Sequence, residues 1–326
     1  MAKAAKGALE PLAAQVAGHP GSVLASESGD VIVKPSLPLE RAFYTSLVTQ
    51  LGLEGFVPRF YGTLQLQGKL PDGQDGLDPA VAVDASQPLR AQLGLEDATG
   101  QGPDEGIVLE NLIHRFVHPN VIDIKLGTQF WDEQSSADKR QRMEEASAAT
   151  TSGTTGVRLT GFQVWSGESQ SYVATSKSYG KSIKPADLAA GARKMFPVAA
   201  SDTGGLPAEL LKRVLSLIVD RTRAIRDRAT PLEWRVRGGS VLIVYEGDAQ
   251  ALQRALDDPL EPDEEEESDE EDETDDSRPK RTLAYDVRLI DFAHTTLVPG
   301  QGPDDGYNLG LRTAVALLEA RLAELS

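Results

Sequence analysis

The 326-residue chain contains no cysteine, only four histidines and few aromatic residues, 6% of the total. The first absence excludes disulfides, thiolate metal sites and a cysteine nucleophile, and agrees with a reducing intracellular compartment. No apolar run reaches the about 18 residues that a membrane-spanning helix requires. The opening MAKAAKGALEPLAAQVAG has no sustained apolar core of the kind a secretory signal needs, so a soluble protein is expected. Two missing motifs narrow the chemistry further. The chain has neither the G-x-G-x-x-G-x-V loop and H-R-D of protein kinases nor the G-x-x-x-x-G-K-[ST] of P-loop enzymes.

Positive charge looks scarce as well, with a formal net charge of -17, yet 13 of the 16 residues 261–276 are acidic. Setting those aside leaves 33 basic against 37 acidic residues, a net charge of -4. The rest of the chain is nearly balanced, and local basic clusters can still set a positive field. The acidic run repels itself and offers nothing apolar to offset ordering, so a disordered loop over about 257–280 is expected. Three more breaks are predicted: a long surface insertion at 68–106, a short polar loop at 147–156, and a Pro/Gly-rich connection at 196–207.

Between the breaks, β-branched apolar runs predict strands near 30–34, 158–165, 241–245 and 285–292. Leu211, Val214, Ile218 and Ile225 form one helical stripe, and Leu311, Val315, Leu318 and Leu322 another. Strands and helices alternate without a βαβ repeat, which favours an α+β fold.

Two carboxylates sit in unusual company. In Pro119-Asn120-Val121-Ile122-Asp123-Ile124-Lys125-Leu126-Gly127 an Asp and a Lys two apart share one face of an extended segment. In Arg288-Leu289-Ile290-Asp291-Phe292-Ala293-His294 an apolar strand delivers a carboxylate followed by an imidazole. Each is open to a plain reading as a salt bridge or a solvated strand end. Charges inside apolar runs are costly unless paired or bound to a cation, and two such runs in one chain point to a site. Phosphoryl transfer needs a lysine on ATP phosphates, a carboxylate for Mg²⁺ and a cation near the transferred group, places that Lys34, Asp291 and Lys125 can fill.

The first of these segments matches the PxxxDxKxG motif of the inositol polyphosphate kinase family, and Ile290 to His294 matches that family's IDF segment. Gln15-Val16-Ala17-Gly18-His19, Val33-Lys34-Pro35, Glu40 to Tyr44, Tyr179-Gly180-Lys181-Ser182, Val244-Tyr245-Glu246-Gly247 and Asp305-Gly306-Tyr307 follow in the family's order. The chain thus resembles that family over nearly its whole length, the multikinases above all. It departs where the family usually has Ser-Leu-Leu and this chain has Ser240-Val241-Leu242, which leaves the role of Ser240 open.

The resemblance implies a bilobal kinase-like fold with antiparallel sheets and an ATP cleft between residues 1–110, an ATP-capping lobe, and 111–326, a catalytic lobe. It implies ATP and Mg²⁺ as cofactors and conversion of inositol trisphosphate through tetrakisphosphate to pentakisphosphate. An inositol trisphosphate 3-kinase or a hexakisphosphate kinase is the alternative, and a non-catalytic nuclear scaffold is one of another class. Lys34 would meet ATP phosphates with Glu40 as its ion-pair partner, and main-chain groups of Glu110 and Leu112 would meet adenine. Asp123 would touch ribose and orient the substrate, Lys125 would bridge the transferred phosphoryl and the ring, and Asp291 would hold Mg²⁺. Lys139, Arg142, Lys177, Lys181 and His294 would bind inositol phosphates, while Arg226 and Arg228 lie on a helix placed away from the cleft. The resemblance also implies nuclear residence, and a monomer present in nucleus and cytoplasm without direct nucleic-acid binding is expected. The acidic run is read either as a contact for transcription factors or as a solubilising loop, and Arg278-Pro279-Lys280-Arg281 is too short to establish nuclear import.

Overall fold

The computed structural model describes residues 10–12, 23–65, 105–199, 204–260 and 282–326. The Gln15 to His19 segment, most of the 68–106 insertion, the acidic run and Arg278 to Arg281 lie outside the described residues.

Two five-stranded antiparallel sheets organise the chain. The first has the order β1-β2-β3-β5-β4, from Glu10–Pro11 (β1), Leu24–Ala25 (β2), Val31–Pro35 (β3), Phe60–Gln65 (β4) and Glu105–Glu110 (β5). The second has the order β11-β10-β6-β7-β8, from Pro119–Leu126 (β6), Val157–Ser166 (β7), Ser171–Thr175 (β8), Ser240–Glu246 (β10) and Tyr285–Ile290 (β11). Trp234–Val236 (β9) and Thr295–Leu297 (β12) pair separately. Antiparallel sheets mixed with helices make this the α+β, kinase-like architecture expected of the sequence.

Helix Ala208–Ala229 buries Leu211, Val214, Leu215, Ile218, Val219 and Ile225, the stripe spaced by three and four that a helix lays on a sheet. Helix Asp305–Ala323 is capped by Asp304, whose carboxylate accepts from Tyr307 N at 3.0 Å. One continuous core runs from Phe43, Ile107 and Leu109 beside the first sheet to Ile122, Ile124 and Phe292 beside the second. Three arginines tie the parts together through backbone carbonyls: Arg221 and Arg288 both donate to Gly55 O, and Arg228 donates to Gly52 O at 2.8 Å and to Leu51 O. Arg228 therefore holds the stretch that follows the helix carrying Glu40.

Some expectations need correction. Residues 147–156 are not an open loop: helix Ala137–Ala148 and a short turn, Ser152–Thr155, occupy most of them, and Thr151 and Ser152 are fully buried. The hydroxyls explain it, since Thr151 Oγ1 donates to Val157 O at 2.6 Å and Thr155 Oγ1 to Thr151 O at 2.6 Å, so a polar segment satisfies its own backbone. Glu105 and Gly106 belong to β5, and helix Ala249–Asp257 runs to the expected start of the acidic loop. The strand expected over 285–292, β11, ends at Ile290 because Asp291 turns to φ +67°.

Candidate active site

Alternation along β6 generates one wall of the site. Ile122, Ile124 and Leu126 are fully buried in the core, which sends Asp123 and Lys125 to the opposite face. A register shift between Asp123 and Ile124, which pair with Gly161 and Leu159, makes Thr160 the extra residue of β7. Such bulges re-aim side chains. Asp123 is 3% exposed. Burial pushes its carboxyl up to about 6, the Asp291 charge adds to that, and Lys125 opposes it. The Asp123 Oδ1 and Ser240 Oγ atoms are buried and make no hydrogen bond of ordinary geometry among the described residues, although the Ser240 and Thr160 hydroxyls lie near enough to favour the ionised Asp123. Lys125 Nζ donates to Gly238 O at 2.6 Å and lies 5.8 Å from the Phe130 ring centre. Burial draws the Lys125 ammonium below its ordinary range, against the pull of Asp123 and Asp291.

Lys34, on β3, forms the opposite wall. Its Nζ lies 2.9 Å from Glu40 Oε1 and 2.6 Å from Asp291 Oδ1. Burial alone would lower the lysine, but Asp291 and Glu40 outweigh it and raise it well above its usual value. Asp291 is also affected first by burial, which favours its neutral form, yet the Lys34 charge wins and holds the carboxyl below its ordinary range. A positive φ at a residue other than glycine is uncommon. Here the next residue, Phe292, is fully buried and stacks on Phe43 at 3.8 Å between ring centres, which fixes the turn. Phe43 opens a π-helical stretch, Phe43–Leu47, directly after Pro38–Ala42, the helix bearing Glu40. The contact between Lys34 and Asp291 closes a separation of 257 residues.

At the end of β5, Glu110 Oε2 accepts from Arg59 N at 3.3 Å, and Leu112 is buried with Phe116, Val244 and Leu283. Asn111, which the sequence reading passed over, donates through Nδ2 to Gly29 O at 2.6 Å, while its main-chain N donates to Asp30 O. It thereby ties this connection to the turn before β3.

His294 Nδ1 lies 2.8 Å from Asp132 Oδ2, another residue the sequence reading missed. Burial acts first on Asp132 and raises it, but Ser135 and His294 outweigh this and hold it below the ordinary carboxylate range, with Lys139 contributing. Lys139 is half-buried and Arg142 exposed on helix Ala137–Ala148. Lys177 and Lys181 are exposed on Lys177–Ser182, which packs on β7 through Gly180 at Leu159 O and Tyr179 on Phe162. Leu159 and Phe162 belong to the core, so this helix meets the side of β7 away from Asp123. The structure thus gathers Lys34, Glu40, Asp123, Lys125 and Asp291, links Lys139 to His294 through Asp132, and sets Lys177 and Lys181 on an exposed helix packed against β7.

Two antiparallel sheets, with a lysine held between carboxylates on the first and coupled through Asp291 to an Asp-x-Lys strand of the second, make a kinase-like arrangement. The inositol polyphosphate kinase family model matches residues 106–319, and the chain belongs to that family. It is 28% identical over 236 residues to an inositol polyphosphate multikinase of Schizosaccharomyces pombe, covering 71% of this chain and 77% of that one. It is 26% identical to the multikinase of Saccharomyces cerevisiae, with 92% and 94% covered. A mouse inositol hexakisphosphate kinase 3 is 29% identical over 65% of this chain, a match that spans half of that relative. The crystal structure of the S. cerevisiae multikinase Ipk2 with ADP and Mn²⁺ superimposes with a TM-score of 0.65 at 23% identity, covering 90% of this chain and all of that one. That likeness establishes the fold, and the family makes the chain an inositol phosphate kinase.

Proposed function

We propose that this chain is a multikinase that transfers the γ-phosphoryl of ATP to hydroxyls of inositol trisphosphate and tetrakisphosphate, giving pentakisphosphate. The observation that carries the reading is the ion pair of Lys34 with Asp291 and the electrostatic coupling of Asp291 to Asp123 and Lys125, together with multikinase relatives that span most of the chain. Lys34 neutralises ATP phosphates, and Glu40 holds its ammonium in place. Lys125 sits where charge on the transferred group is stabilised, and no covalent intermediate is needed because phosphoryl transfer depends mainly on positioning and electrostatics.

Mg²⁺ fits the donors. Asp291 is a hard oxygen ligand beside Lys34, and Asp123 offers a buried oxygen that makes no hydrogen bond of ordinary geometry among the described residues. No group of three or more His, Cys, Asp or Glu side chains converges among the described residues, so the protein would supply a minority of the ligands, as is usual when substrate phosphates complete the shell of Mg²⁺. When bound, the ion neutralises charge on the phosphates.

The hexakisphosphate kinase among the relatives favours a second reading, in which the acceptor is a phosphate and the product a pyrophosphate. Incubating the purified chain with ATP and Mg²⁺ and either inositol trisphosphate or hexakisphosphate separates the two. Chromatography against position-defined standards should show pentakisphosphate from the first. Turnover of hexakisphosphate alone would replace the multikinase reading with the second. Contact of the acidic run with transcription factors and residence in nucleus and cytoplasm belong to the same proposal, and tagged full-length and run-deleted chains in cells test them.

A further inference from the structure

The connection from β5 to β6, residues 111–118, is tied at both ends. At its start Asn111 donates to Gly29 O and Asp30 O beside the first sheet. At its far end a carboxylate of the second sheet takes hold. Glu246 closes β10 opposite Pro119 of β6 and is fully buried. Its Oε2 accepts from Val117 N at 2.7 Å, and its Oε1 accepts from His118 N at 2.9 Å and from Asp248 N at 2.8 Å. Thr282 Oγ1, which donates to Arg115 O at 2.7 Å, lies 3.3 Å from Glu246 Oε2. Leu283 N donates to the same carbonyl, and Gly247 N to His118 O. The ring of His118 stacks on Trp165 of β7 at 3.7 Å between ring centres.

The partners of Glu246 are main-chain N–H groups and a hydroxyl, none of them a cation. A buried carboxylate is costly unless hydrogen bonds satisfy it, and removing a donor restores the desolvation cost. Two of the three N–H donors belong to the connection, so Val117 and His118 cannot shift without stripping the charge. Hydrogen bonds to an ionised acceptor are also stronger than neutral ones. Bending between the sheets is thereby confined to residues 112–114, between the Asn111 ties and the Arg115 carbonyl. Leu112 itself packs with Phe116, Val244 and Leu283, so the clamp reaches the residue whose main chain the family resemblance sets against adenine.

We propose that Glu246 is a positioning residue for the nucleotide, acting through the connection and not by contact with ATP. By fixing Val117 and His118 to the second sheet it sets where Leu112 presents its main-chain groups to adenine. This rests on the proposed use of ATP. The acceptor side, with Lys139, Asp132 and His294, hangs from other segments. Loosening the clamp therefore weakens nucleotide binding selectively.

Isothermal titration of the full-length chain with ADP and Mg²⁺, and separately with inositol trisphosphate, tests this together with amide hydrogen exchange over residues 111–118. Glu246→Gln keeps the size of the side chain and one acceptor oxygen but turns an amide N–H₂ towards one of the donors. It should weaken ADP binding at least about fivefold and leave inositol trisphosphate binding within about twofold. Exchange should quicken over 111–118 and not along β10. In steady-state assays KM for ATP should rise more than kcat falls. Equal losses for ADP and inositol trisphosphate overturn the proposal, as does a lower Tm with both affinities kept; Glu246 is then a stabilising residue of the fold. A wild-type chain that binds no ADP overturns the nucleotide reading and the proposal with it. A wild type that binds ADP, matched by a Gln variant that binds it equally well, overturns the proposal alone. Should the Gln variant fail to fold, Thr282→Val, which removes the hydroxyl between Arg115 O and Glu246, decides by the same titration, and unchanged ADP affinity counts against the clamp.

Discussion

Replacing Asp123 with Asn should make the protein more stable at neutral pH and less active. Holding this carboxyl at about 6 instead of its ordinary 3.8 penalises the ionised folded form by ~3 kcal/mol. That figure already contains the attraction of Lys125. Between pH of about 4 and 6 the folded chain keeps a proton that the unfolded chain has released. The penalty therefore grows as pH rises through this window and is complete above about 6. Asparagine resembles the protonated acid and never ionises. Its second N–H finds no evident acceptor, at a cost of ~1 kcal/mol, which leaves a gain of roughly 1 to 2 kcal/mol, or a few degrees in Tm for a chain of this size. Scanning calorimetry at pH of about 7.5 and about 5 should show the variant melting higher at the first and most of the gain lost at the second. Turnover should fall at least about tenfold. A variant that melts lower at neutral pH, or whose gain is the same at both values, would refute the idea that a strained carboxylate is kept for the site.

Asp291→Asn should do the opposite to stability: the Lys34 charge depresses this carboxyl, so its contribution is present above its unfolded value and lost as pH falls. The variant should melt lower at neutral pH, a difference that closes in acid, and should lose turnover; near-normal activity with ordinary Mg²⁺ would exclude Asp291 as a metal ligand. Lys125→Ala should lower kcat by at least about 10²-fold, and a change confined to KM for ATP would make Lys125 a ground-state contact. Lys139→Ala, through its charge beside Asp132 and His294, should raise KM for inositol phosphate about tenfold, read by steady-state assay, whereas a change in KM for ATP alone would detach it from the acceptor side. Arg228→Ala should lower Tm by a few degrees, because it frees Leu51 O and Gly52 O, and an unchanged Tm would show the tie to be idle.

Period-two patterning made one wall of the site legible, since Ile122, Ile124 and Leu126 leave Asp123 and Lys125 only the other face. The stripes of the two long helices were equally plain. What could not be read was whatever depends on partners distant in the chain. Asp132 gave no signal because its partner, His294, is supplied by a segment beyond β11. Residues 147–156 were misread because composition counts serine and threonine as solvent-seeking, whereas here their hydroxyls replace water on buried carbonyls. The strand expected through Phe292 stops early because the Phe43 stack holds Phe292 in the core while Asp291 turns towards Lys34.

That last arrangement explains how two carboxylates far apart in sequence come to share one lysine. Glu40 is brought by a helix whose next residues are Phe43 and Tyr44, and Asp291 is followed immediately by Phe292. The rings meet, Phe43 stacked on Phe292 and Tyr44 edge-on to it, so apolar packing sets the separation of the acidic groups one to four residues away. Tyr44 also stacks on Phe60, at the start of β4, which links the same cluster to the first sheet. Ion pairs alone would fix this geometry poorly, because their attraction is undirected and offset by desolvation. Aromatic packing in a filled core tolerates little displacement. The charged site is therefore held by its uncharged neighbours, and a volume change at Phe43 should disturb Asp291 although it touches no ligand.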